Sequence, residues 1–315
     1  MFEKPFFVIL TNRCNLTCAH CYNELDPFKI IKTKVSDPLS RPRLQFLFQE
    51  LVKQKYQRGY FSGGEALLRP DAPEILGDAR TAGLKVSLFT NGHLFTEEMV
   101  NRLTSARLDE VRISLNELAW IKDRRQYELV FERQTRWVPA LIKAGIAVGV
   151  IYLISRLNIE YVMETLDAVR SMGAGIKVQP LYMPPHEPHA DVGARHIAAN
   201  EWEHLINQVQ SMVAATDFAA EADLQVYNNP WKILRYVRFV RDVYVGDHRP
   251  DFCPTGPILV LDSDGYFHPC LFRFDLVAGH ISDDDTVRTL ASRISCHEDL
   301  RTAPCFREEC LSAYR

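Results

Sequence analysis

Cys14, Cys18 and Cys21 stand in the segment LTNRCNLTCAHCYNE with the spacing CxxxCxxC. Thiolates at such short intervals read as ligands for a metal or a redox centre. Three of them are one fewer than a four-iron cluster takes, which leaves an iron that a small molecule can chelate, whereas a structural zinc site is normally completed by the protein. The vacancy points to chemistry. Two alternatives stay open on spacing alone: a zinc site completed by His20, and three buried cysteines with no metal.

Other polar residues stand where short apolar runs end. The segment SGGEALLRPD offers Gly63 and Gly64, whose lack of Cβ lets backbone approach a ligand closely, and Glu65, a carboxylate that suits an ammonium group. Thr90 and Asn91 (TNG), Ser114 (SLNE), Arg156 and Asn158 (ISRLN), and Gln179 and Leu181 (QPL) follow in the same way. Taken singly, Thr90, Asn91 and Ser114 fit turn and cap residues equally well. An arginine at the end of a strand is equally a surface residue, although its planar fork suits a carboxylate.

The eight cysteines fall in two groups, and the second comprises Cys253, Cys270, Cys296, Cys305 and Cys310. Between Cys253 and Cys270 the order is a cysteine, eleven residues, a glycine, four residues and a cysteine. Grouping of this kind favours metal ligation over a disulfide framework.

These motifs together resemble the radical S-adenosylmethionine superfamily, whose pattern is CxxxCxΦC, with His20 here at Φ. The resemblance runs along the first domain. It implies that Cys14, Cys18 and Cys21 hold a 4Fe-4S cluster with an open iron. It further implies that Gly63, Gly64 and Glu65 meet the amino group of S-adenosyl-L-methionine. Thr90, Asn91 and Ser114 would meet its ribose and carboxylate, and Arg156, Asn158, Gln179 and Leu181 its carboxylate and adenine. Ala66 stands where the family usually has proline, and Asn116 and Glu117 stand where relatives have an acidic residue and glycine.

The second cysteine group resembles the SPASM and Twitch modules of the same superfamily, which carry auxiliary clusters. That implies a second 4Fe-4S cluster on Cys253, Cys270, Cys305 and Cys310, with Cys296 able to replace one of the last pair. Cys296 is otherwise a small buried side chain, or a hydrogen-atom donor to a substrate radical. The activity implied is reductive cleavage of the cofactor to a 5′-deoxyadenosyl radical that abstracts hydrogen from a substrate C–H bond. A flavodoxin or ferredoxin would supply the electron. The substrate is either a ribosomal peptide undergoing cross-linking or epimerisation, or a small molecule such as an aminocyclitol or amino sugar. With the first strand at Phe6, no leader-binding domain is expected ahead of the barrel, which keeps the small molecule in contention. Glu117, Tyr182, His186 and His189 occupy loops where either substrate would be met. A zinc-stabilised binding module is the reading of another class.

The elements that must position these residues follow from periodicity. Apolar runs at Phe6 to Thr11, Gly59 to Ser62, Lys85 to Thr90, Glu110 to Leu115, Ala147 to Ile154 and Gly175 to Gln179 read as six strands. Amphipathic segments alternate with them: Arg43 to Lys55, Asp71 to Ala82, Thr96 to Ala106, Val130 to Ala144 and Asn158 to Met172, with Gly83, Gly145 and Gly173 closing three. This is an α/β pattern, a partial (β/α)6 barrel whose strand C-termini share one rim. Helices are expected again over Asn200 to Ala215 and over Pro230 to Tyr244, where Lys232, Arg235, Arg238 and Arg241 share a polar side that reads as a solvated face ahead of an anion- or partner-binding stripe. A hairpin turning at Asp264 and Gly265 then opens a small C-terminal domain. The expected units are a barrel over 1–215, a helical connector over 216–250 and an auxiliary-cluster domain of β-hairpin and helix over 251–315.

The chain has 315 residues, 47% of them hydrophobic and 24% charged, with a net charge of -3. It is long enough for such a barrel and an appendage. The weak negative charge gives no reason to expect nucleic acid or a membrane surface as partner. The run Phe6 to Leu10 is too short for a signal peptide or a membrane span, so a cytoplasmic location is expected.

Overall fold

The computed structural model describes residues 4–18, 21, 39–180, 197–214, 234–235, 237–238, 241–242, 258–271, 274 and 276–295. His20, Leu181, Tyr182, His186, His189, Cys253, Cys296, Cys305 and Cys310 lie outside the described residues, as does most of the expected helix at 230–244.

Six strands form where alternating or continuous apolar runs predict them: β1 (Pro5–Ile9), β2 (Arg58–Ser62), β3 (Lys85–Thr90), β4 (Glu110–Ser114), β5 (Ala147–Ile154) and β6 (Gly175–Pro180). They are parallel and lie side by side in chain order. Connections of one hand between successive neighbours put all the helices on one face, so the other face becomes the concave interior of an open half-barrel. The helical face is the core. Phe6, Val8, Phe61, Val86, Leu88, Val111, Ile113, Val148, Val150, Ile176 and Val178 are buried in one cluster with the apolar sides of the helices.

The helices are α1 (Arg41–Lys53), α2 (Ala72–Thr81), α3 (Glu97–Ser105), α4 (Arg124–Thr135), α5 (Val138–Lys143), α6 (Val162–Ser171) and α7 (Ala199–Ala214). α1 buries Leu44, Leu47, Phe48 and Leu51, and Phe48 meets Phe61 edge to face at 5.8 Å. Gly83, Gly145 and Gly173 all take positive φ just beyond α2, α5 and α6, as the sequence predicts. After α2 the amide of Gly83 bonds to Arg80 O and that of Leu84 to Ala79 O, the pair that satisfies the last carbonyls of a helix.

One expected helix is two. Val130 to Ala144 is broken because Pro139 sits in the first turn of α5, where it has no amide to donate back into the preceding turn. α4 begins earlier, at Arg124, where the Asp123 carboxylate accepts from the amide of Gln126.

The hairpin forms as β7 (Leu259–Leu261) and β8 (Tyr266–His268), with Gly265 at φ +92° in the turn. Its place is the unexpected feature. β7 pairs in parallel with β1, Phe6 opposite Leu259 and Val8 opposite Leu261, so the hairpin continues the barrel sheet past its first strand. With the short β9 (Gly279–His280) the sheet runs β6-β5-β4-β3-β2-β1-β7-β8-β9. An unclosed barrel leaves β1 as an edge, and the hairpin covers it. A helix follows the hairpin, as expected of the C-terminal segment, and its bounds are Asp284–Ser295 (α8); it docks on α1, where the Gln54 side chain donates to Val287 O at 2.8 Å and accepts from the Ala291 amide at 2.8 Å. No helix among the described residues is long and apolar enough to cross a membrane.

Candidate active site at the carboxyl edge of the sheet

The cysteine loop leaves the end of β1 and runs beside the Gly63–Gly64–Glu65 turn at the end of β2. The amide of Gly64 donates to Thr11 O and that of Glu65 to Arg13 O, both at 2.8 Å. A Cβ on Gly63 would stand 2.6 Å from Thr11 O, and one on Gly64 would stand 2.5 Å from Arg13 O and 2.9 Å from Cys14 Cβ. The group that needs these glycines bare is thus the cysteine loop itself. Cys14 is exposed, and Cys18 and Cys21 are half-buried. The amide of Leu16 points at Cys14 Sγ over 3.4 Å, and the amide of Cys21 closes a turn onto Cys18 O at 3.0 Å.

Glu65 is not the open carboxylate that the sequence suggests. It is 1% exposed. Its Oε1 accepts from the Leu67 amide at 3.0 Å and from Thr90 Oγ1 at 2.8 Å, and its Oε2 accepts from the Asn91 amide at 2.7 Å. Burial pushes its pKa above the ordinary carboxylate value, against the pull of these donors. Asn91 carries the network back to the cysteines: its Nδ2 donates to Asn15 Oδ1 at 2.8 Å, while its Oδ1 accepts from the His93 amide at 3.0 Å. Thr90 Oγ1 also accepts from the Gly92 amide. Glu65, Thr90 and Asn91 therefore brace the turns after β1, β2 and β3 against one another.

Three further residues have partners of their own. Asn158 is fully buried, with Oδ1 accepting from Ser155 N at 2.7 Å and Nδ2 donating to Leu153 O at 2.9 Å, so its side chain closes a turn and presents nothing to a cofactor. Arg156 is paired with Glu201 of α7 at 3.1 Å, with a side chain 56% exposed. Glu117 holds His93 Nε2 at 2.5 Å and Arg133 at 3.3 Å, and the bond from His93 keeps its carboxyl below the ordinary range. His93 and Asn15 went unnoticed in the sequence, where nothing but their adjacency to motif residues marks them. Ser114 and Gln179 lie half-buried at the ends of β4 and β6. Among the described residues no group of three or more His, Cys, Asp or Glu side chains is gathered so as to hold a metal ion.

Residues 8–169 match the model of the Radical SAM superfamily. The chain belongs to that superfamily. Radical SAM proteins use a 4Fe-4S cluster and S-adenosylmethionine, and the open α/β sheet seen here is their fold. Among curated radical SAM relatives, Fe-coproporphyrin III synthase of Methanosarcina barkeri is 30% identical over 52% of this chain and 41% of its own length. A PqqA peptide cyclase of Granulibacter bethesdensis is 30% identical over 55% of the chain and 46% of its own length. The chain thus spans less than half of either protein. A probable GTP 3′,8-cyclase of Methanococcus maripaludis is 26% identical over 95% of the chain and 91% of its length. Streptococcus suis SuiB bound to S-adenosylmethionine shares the fold, with a TM-score of 0.62 and 14% identity over 90% of this chain and 65% of that one.

The donor chemistry of the cysteine loop fits the group that the family uses. Three thiols on one loop, two of them half-buried and one exposed, are the donor set that would bind three irons of such a cluster.

Proposed function

We propose that this chain is a radical SAM enzyme that abstracts a hydrogen atom from a substrate C–H bond in the maturation of a ribosomal peptide by cross-linking or epimerisation. The observation that carries the reading is the cysteine loop, zipped to the Gly63–Gly64–Glu65 turn and braced by Asn91, on the rim of a half-barrel. Cys14, Cys18 and Cys21 would hold the cluster. When bound, the reduced cluster supplies one electron to the sulfonium of S-adenosylmethionine, which yields methionine and the 5′-deoxyadenosyl radical. This chain's part is to fix the loop and orient the cofactor over the concave face. Main-chain groups of the Gly63–Glu65 turn, together with Ser114 and Gln179, are rim positions that would contact the cofactor, and Glu65, Thr90 and Asn91, engaged with one another, would hold the turns around it.

A flavodoxin or ferredoxin would be the electron donor, in the cytoplasm. Cys253, Cys270, Cys305 and Cys310 would hold an auxiliary cluster in a SPASM/Twitch-like unit reached through the hairpin, where Cys270 follows β8. Cys296 would then be a spare ligand or a hydrogen donor.

Support for a peptide comes from the PqqA peptide cyclase among the relatives at 30% identity. A small polar substrate is the second reading. It is favoured by the GTP 3′,8-cyclase match, which covers 95% of the chain. Candidate peptides or small molecules with deuterium at carbon separate the two: the true substrate class passes deuterium into 5′-deoxyadenosine, and a class that never does so is excluded.

A further inference from the structure

The SGGEALLRPD segment carries a buried arginine beyond its glycines. Arg69 follows a short helical turn, Ala66–Leu68, and its side chain is 5% exposed. Its Nε donates to Asp71 Oδ1 at 2.7 Å and its Nη2 to Asp71 Oδ2 at 3.2 Å. The guanidinium also reaches two main-chain carbonyls, with Nη1 donating to Leu10 O at 3.5 Å and Nη2 to Leu39 O at 2.5 Å. Leu10 and Leu39 are fully buried. They flank residues 11–38, the stretch between β1 and α1 that carries the three cysteines. Three carbonyls of the run Leu10 to Arg13, which leads into Cys14, thus accept from one short stretch: Leu10 O from the Arg69 side chain, Thr11 O from the Gly64 amide and Arg13 O from the Glu65 amide.

Buried carbonyls outside helices and strands need donors. A guanidinium offers five N–H groups in a fixed planar fork, so one side chain can serve a carboxylate and two carbonyls at once, which the single ammonium of a lysine cannot. The Asp71 side chain is 41% exposed, so the carboxylate faces partly outward while the guanidinium faces inward to the two carbonyls. The pair neutralises a buried charge whose remaining donors hold the ends of one stretch of chain. We propose that Arg69 is a positioning residue for the cluster site: it fastens the entry and the return of the cysteine segment to the turn after β2, and so sets where the three thiols stand. The proposal deepens the radical SAM reading and rests on it for the identity of the group that the thiols hold.

The test uses the full-length chain and two readouts. In the apoprotein, the cysteines are alkylated with iodoacetamide and followed by peptide mass spectrometry, with Cys270 as the reference outside the segment. Arg69→Lys keeps a cation beside Asp71 but cannot span both carbonyls. Cys18 and Cys21, half-buried in the wild type, should then react about tenfold faster, the loss of one charge-assisted hydrogen bond, while Cys270 keeps its rate. In the anaerobically reconstituted protein, the affinity for S-adenosylmethionine is read from the change it causes in the electron paramagnetic resonance spectrum of the reduced cluster, and it should fall by a similar factor. Arg69→Met/Asp71→Asn removes the pair without leaving a buried charge and should give the same two changes, so it decides the matter if Arg69→Lys does not fold. Equal alkylation in the wild type and the variants, a rise shared by Cys270, or an unchanged affinity would overturn the proposal. Loss of the fold in both variants would overturn it too, because Arg69 would then hold the whole sheet rather than this segment. If the wild type takes up no iron, the radical SAM reading is what fails, and alkylation alone still decides the place of Arg69.

Discussion

Asn91 and Asn15 are joined by one hydrogen bond of 2.8 Å, from the carboxamide after β3 to the side chain that follows Cys14. Among the described residues it ties the cysteine loop to the buried Glu65 network through side chains. Main-chain bonds tie the loop to the turn after β2 as well. Asn15→Ala and Asn91→Ala should each lower stability by about 1 kcal/mol through this bond, and the double variant should cost less than their sum. Urea denaturation of the three variants measures the coupling, and strict additivity would show that the contact does not form.

Gly64→Ala places a methyl group 2.5 Å from Arg13 O and 2.9 Å from Cys14 Cβ. The cysteine loop has to move, while the strands behind it stay packed in their own core. The expected outcome is a protein with unchanged far-ultraviolet circular dichroism and iron incorporation at least tenfold below wild type after anaerobic reconstitution. Equal iron in the two proteins would show that the close approach is not needed.

Much of this site was legible in advance because its elements are local. Strand endings, glycine caps and the CxxxCxxC spacing are properties of short segments, and they place Cys14, Gly63, Thr90 and Ser114 on one rim. What stayed hidden is non-local. The parallel pairing of Leu259 with Phe6 spans most of the chain, and no pattern in either segment names the other as its partner. Side-chain direction was hidden too. Glu65 and Asn158 occupy the expected places, yet their polar atoms are held by neighbouring turns, which spacing cannot reveal.

Glu65 should leave a signature in the pH dependence of the apoprotein. Its folded pKa is raised above 4.5, so the folded state binds this proton more tightly than the unfolded chain. The contribution favours folding below the unfolded value and is lost as pH rises through the folded one. Urea midpoints should therefore fall over that interval in the wild type, and Glu65→Gln should remove this part of the slope. An identical profile in the variant would show that Glu65 titrates as an exposed carboxyl.

The hairpin contains a second buried pair. His268 Nε2 lies 2.9 Å from Asp262 Oδ2, and its Nδ1 lies 2.9 Å from Leu276 O, with the imidazole 1% exposed. The Asp262 Oδ1 also accepts from the Tyr266 amide, so the carboxylate spans the turn. Removing one partner leaves the other without its hydrogen bond in the interior, and Asp262→Ala should cost about 1–3 kcal/mol. Because β7 lies on β1, protection of the β1 amides against hydrogen exchange should fall along with it; β1 protection equal to wild type would separate the hairpin from the sheet.

Cofactor cleavage tests the central claim most directly. Full-length protein, reconstituted anaerobically with iron and sulfide and reduced by dithionite, is incubated with S-adenosylmethionine, and 5′-deoxyadenosine is quantified. The account predicts product from the wild type, about four irons per chain at this loop or about eight with an auxiliary cluster, and none of the product from Cys14→Ala/Cys18→Ala/Cys21→Ala. Undiminished 5′-deoxyadenosine from the triple variant, or none from an iron-loaded wild type, would contradict it.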